Sequence, residues 1–104
     1  MKQPTREQIK EFWEWCGLVS FKDRLGVVYE YDRKLHKSPP DLDLNNLFKY
    51  AVPKLDNIKL VKNVAPSGDV FWNGTAEYIP NVKVVTHEDP ALALFWAIWE
   101  VIKK

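Results

Sequence analysis

Hydrophobic positions near the start of the chain recur at helical spacing. Ile9, Phe12, Trp13 and Cys16 fall at i, i+3, i+4 and i+7, with Lys10, Glu11 and Glu14 on the other side. Thr5 and Gln8 have the spacing of a capping box, in which each side chain satisfies the other's free backbone amide. Gly17 tolerates the positive φ of a helix stop. A helix is predicted over 5–16. The period then changes to two: Val27, Tyr29 and Tyr31 alternate with Val28, Glu30 and Asp32, which predicts a half-buried strand over 26–32. Residues 33–40 are mostly polar, end in Pro39-Pro40, and read as a loop or a short hairpin return.

Helical spacing returns at Leu44, Leu47, Phe48 and Ala51, with Asp41 or Asp43 as cap. Pro53 has no amide proton and clashes with the preceding turn, so this helix should end or kink near Val52. Residues 57–64 are rich in strand formers, with Ile58 and Leu60 facing one way. A turn is predicted at 66–69, a strand at 70–79 with a candidate bulge or break at Asn73-Gly74, a turn at Pro80-Asn81 and a strand at 82–86. These three strands read as an antiparallel meander. Asp89 is a good N-cap and Pro90 suits the first helical position. Residues 91–102 contain one polar residue, Glu100. A helix so apolar is normally buried on several sides, so it is placed centrally, on the sheet and against another helix. The expected order is α-β-α-β-β-β-α. It describes a single α+β domain over 1–104, a small mainly antiparallel sheet packed with helices.

Three stretches, TREQIKEFWEWCG, LDLNNLFKYAVPKL and EDPALALFWAIWEVI, resemble small tailed-phage and prophage proteins grouped as the phage ABA sandwich domain. The resemblance covers most of the chain as pattern, and 20–38 is the part least like the family. It implies an α/β/α-type sandwich and a phage or prophage origin. It supplies no activity and no functional residues.

Composition narrows the functions. With 104 residues, 46% apolar and 28% charged, the chain has the make-up of an ordinary globular domain. A formal charge of +1 lacks the basic excess that displaces counterions, so nucleic-acid binding is not expected. The longest apolar run, 91–99, is about half the ~18 to 20 residues of a membrane span, and the N-terminus has no secretory apolar stretch. One cysteine excludes an internal disulfide and fits a reducing cytosol, so a cytoplasmic protein is expected. Four scattered glycines form no phosphate loop, and no cofactor is expected. The candidate metal ligands Cys16, His36, His87, Glu88 and Asp89 lack paired spacing, so no metal site is expected; His87 reads as a surface histidine beside a helix cap. Cys16 completes an apolar helix face and reads as a small hydrophobe. Glu30 and Asp32 share a strand face, as exposed carboxylates commonly do. An enzyme would need His36 or His87 gathered with Cys16 or a carboxylate, and a non-catalytic protein is the expectation.

The aromatic residues are the informative surplus. Five Trp, four Tyr and five Phe exceed what a small core needs. At about 100° per residue, Trp96 and Ala93 fall in the sector of the last helix that holds Asp89, Glu100 and Lys103. Trp15 sits at the edge of its helix's apolar face. Trp72 and Tyr78 lie on a strand with large residues on both faces. Either another element covers Trp96, or these side chains form a contact surface, as Trp and Tyr do at binding hot spots. A homodimer, or a host or phage protein, is the partner such a surface suggests. Arg33, Lys34, His36 and Lys37 form one basic cluster that reads as a solvated loop or as a site for the phosphates of a nucleotide-like ligand. The leading expectation is a phage accessory protein of host-takeover or counter-defence type that acts by binding, with sequestration of a nucleotide-type signal second.

Overall fold

The computed structural model describes residues 3–24 and 26–103. The chain divides between Asp41 and Leu42 into two compact units, where the sequence reads as one.

The first unit opens with helix α1, Arg6–Trp15. Thr5 is its N-cap, and both halves of the capping box are made: the Gln8 amide donates to Thr5 Oγ1 at 3.1 Å, and the Thr5 amide to Gln8 Oε1 at 2.9 Å. Gly17 follows with φ 99°, as the stop requires. Phe12 and Trp13 are fully buried and meet edge to face, ring centres 5.0 Å apart. Three antiparallel strands follow in chain order, β1 Val19–Asp23, β2 Gly26–Tyr31 and β3 Lys34–His36. The short hairpin return is β3. The pattern did not mark β1, and these strands form a sheet of their own.

The second unit begins with Asp43, whose carboxylate accepts the Asn46 amide at 2.8 Å. It caps a short helix, α2 Leu44–Asn46, which widens into a π turn at Leu47–Ala51 and tightens into a 3₁₀ turn at Val52–Lys54. The change at Val52 is where Pro53 removes a donor. The expected regular helix is therefore three short helical pieces. A second meander follows, β4 Asn57–Val64, β5 Val70–Tyr78 and β6 Asn81–His87, with β5 central. β5 runs unbroken through Asn73-Gly74: Asn73 pairs with Val61 and Thr86, and Gly74 with Leu60 and Val85.

Helix α3, Pro90–Ile102, closes the unit, with Asp89 Oδ1 accepting the amides of Ala91 and Leu92 at 2.8 and 3.1 Å. It packs on β5 and β6. The contact is made by small residues. A Cβ added to Gly74 would stand 2.6 Å from the backbone carbon and oxygen of Ala93, so only hydrogen fits there. Ala76, Ala93 and Ala97 are fully buried. This corrects the sequence reading of Ala93: the side expected to be polar lies against the sheet at that point. The α+β layout holds: the described residues form three α-helices and two sheets in the order α-β-β-β-α-β-β-β-α.

Candidate binding surfaces

Strand register decides which side chains share a face. In the first sheet Val19 pairs with Glu30, Glu30 with Leu35, and Phe21 with Val28. One face therefore carries Val19, Phe21, Val28, Glu30 and Leu35. The other carries Ser20, Tyr29, Tyr31, Lys34 and His36. The second face is the better covered, with Tyr29 buried. Burial, and then the Glu14 carboxylate, raise the Tyr29 phenol above its ordinary value. The first face is open: Val19 is 56% exposed, Phe21 42% and Leu35 63%.

The second sheet has the same asymmetry. Ile58, Leu60, Trp72, Gly74, Ala76 and Val85 share the face that α3 covers. Val61, Phe71, Thr75, Val82 and Val84 share the other, where Val61, Val82 and Val84 are exposed. Polar groups interrupt it: Thr86 donates to Asn73 at 2.6 Å, and Lys59 and Glu77 stand in the same rows.

The aromatic residues singled out by sequence are spread over the fold. Trp96 is half-buried on α3, edge to face with Phe95 at 5.0 Å. Trp99 stacks on the same ring at 6.3 Å. Trp15 is half-buried at the end of α1. Trp72 is half-buried on the helix-facing side of β5, opposite His87, and Tyr78 is exposed at the end of that strand. The most open apolar side chains are thus aliphatic, among them Ile79 in the turn between β5 and β6, and Val19, Leu35, Val82 and Val84 on sheet faces. Sequence reasoning missed Val19, Phe21 and Leu35 as a set, because it marked no strand over 19–23 and read 33–40 as a loop or a short hairpin return, and a shared face exists only once strands pair.

The basic cluster sits on the β2–β3 hairpin. Tyr31 pairs with Lys34, so Asp32 and Arg33 form a two-residue turn, with φ 53° and 62°. Asp32 therefore leaves the strand face expected to hold it beside Glu30. The Tyr31 and His36 rings stack at 3.8 Å, interplanar angle 11°. His36 Nε2 lies 3.3 Å from the Tyr31 carbonyl oxygen, and the Tyr31 hydroxyl donates to the Ser38 carbonyl at 3.1 Å. Arg33, Lys34 and Lys37 are exposed.

Of the groups an enzyme would gather, Cys16 and His36 belong to the first unit and His87 to the second. Cys16 is buried at the C-cap of α1, and His36 is held by Tyr31. His87 belongs to the other unit, where its Nδ1 accepts the Asp89 amide at 2.9 Å. Its proton then stands on Nε2, which is buried with no hydrogen-bond partner among the described residues. It is half-buried, where a surface position was expected. Among the described residues no three His, Cys, Asp or Glu side chains group to hold a metal, and no helix is long and apolar enough to cross a membrane. No protein-family model, curated protein or solved structure matches the chain.

Proposed function

We propose that this chain is a non-catalytic binding protein whose contact surface is the open face of its first sheet. The observation that carries this reading is the alignment of the exposed side chains Val19, Phe21 and Leu35 on one face of β1–β2–β3. Single exposed apolar residues are ordinary, but apolar side chains gathered on one face are what partners cover. Strand spacing and rise give a face of this length roughly 250 Å². That is well below the ~800 Å² per partner of a stable complex between globular proteins. The face therefore suits an extended segment of another protein, or one part of a larger contact, better than a second copy alone. The sequence resemblance to phage ABA sandwich proteins supports reading such binding as that of an accessory protein that engages a host or phage target in the cytoplasm.

The test compares the protein with a Phe21→Ser/Leu35→Ser double variant. Affinity capture from bacterial lysate is followed by cross-link mapping. A captured protein that cross-links to 19–36, and is lost with a variant of unchanged melting temperature, supports the reading. Capture unaffected by the double substitution would overturn it.

A further inference from the structure

From the β2–β3 hairpin we infer that Arg33, Lys34 and Lys37 form a site for phosphate esters, independent of the open face used above. The turn that joins β2 to β3 needs positive φ at both central positions and is normally filled by Asn-Gly or Gly-Gly. Here the second position is Arg33, with φ 62°. A long side chain in this region costs conformational energy that glycine avoids, and such costs are retained where a side chain is needed. The side chain kept there is a guanidinium, whose fork of donors matches phosphate oxygens.

The neighbours strengthen the assignment. Lys34 lies on the same face of the hairpin as Tyr31 and His36, while Glu30 and Leu35 lie on the opposite face. The Tyr31–His36 stack and the Tyr31 hydroxyl bond to Ser38 brace the backbone between 31 and 38, with the three cations along it. Among the described residues Arg33, Lys34 and Lys37 make no ion pair. Asp32 is the carboxylate inside the turn, so three cations stand against one anion, which favours a ligand of more than one negative charge. Phosphate esters have that charge and the geometry to accept from a guanidinium. They come either as a free nucleotide or as the backbone of a single strand, and the hairpin chemistry is common to both.

Backbone amide shifts of the whole protein should be followed during titration with inorganic pyrophosphate, ATP, a thymidine 15-mer and, as a charge control, citrate. Shifts confined to 31–38 with the phosphate compounds, saturating below about 10 mM, and absent with citrate, are expected. ATP binding more tightly than pyrophosphate identifies a nucleotide. The 15-mer binding more tightly than ATP, with a steep loss on adding salt, identifies a phosphodiester strand. The Arg33→Gly variant relieves the turn and should melt no lower than the parent, yet bind at least ~10-fold more weakly, as loss of a charge-assisted contact predicts. Shifts scattered over the surface, equal shifts with citrate, or unchanged affinity in Arg33→Gly would overturn the site.

Discussion

Tyr29 ties one side chain to the pH range over which the fold holds. Burial first, and the Glu14 carboxylate second, favour its neutral phenol in the folded chain and raise its pKa above the ordinary 10.0. Below pH 10 the phenol is protonated in both states, and its contribution to stability is complete. As pH rises further, the unfolded chain ionises first, so stability falls until the folded phenol also ionises. Urea denaturation from about pH 9 to about pH 11 should therefore show a downward slope. Part of that slope should vanish in Tyr29→Phe and shrink in Glu14→Gln. An identical slope in Tyr29→Phe would assign the alkaline loss to other groups. The local chemistry of such residues was readable in advance where it depends on near neighbours. Thr5, Gln8 and Asp89 cap their helices as their spacing predicts, because a cap is settled within three residues.

Packing of α3 on β5 depends on a position with no side chain. Backbone atoms of Ala93 and Leu94 occupy the space a Cβ at Gly74 would need, so no rotamer change can relieve the clash. Gly74→Ala should lower unfolding free energy by about 2 kcal/mol, within the range for overpacked cores. Chemical denaturation would check it. A loss under about 0.5 kcal/mol, the size of an ordinary surface substitution, would mean that helix and sheet separate at little cost. The sequence pattern read Asn73-Gly74 as a weak point in the strand; the structure makes it the place where helix and strand come closest. The same limit explains the missed β1 and the merged sheets. Strand formation depends on partners distant in sequence, and the alternation in VSFKD resembles that of many loops. Phe21 lies in a stretch the pattern left unassigned and Leu35 in one that reads as a loop or a short hairpin return, so neither had a face until strand register supplied one. The basic hairpin was legible as composition, while its turn geometry was not.

Across the whole chain, stability should be uneven. β5 is bonded on both sides and covered by α3, whereas β3 has three residues and one partner strand. Native-state hydrogen exchange should find the slowest amides in β5 and the middle of α3, and those of 34–37 faster by about 100-fold or more. Equal protection in the two regions would contradict this ordering. The α+β class was legible from the periodicities at both ends of the chain. The division near Asp41 was not, because the stretch ending in Pro39-Pro40 reads as a loop or a short hairpin return within one unit. The burial of Cys16 has a practical consequence. The native thiol is shielded beneath the last turn of α1, so it forms a quiet background for labelling chemistry. A cysteine introduced at the exposed position of Leu35 would react with a maleimide dye well before Cys16 does. A fluorophore could then be set on the open sheet face of the otherwise unaltered protein, where it would report directly on whatever comes to cover it.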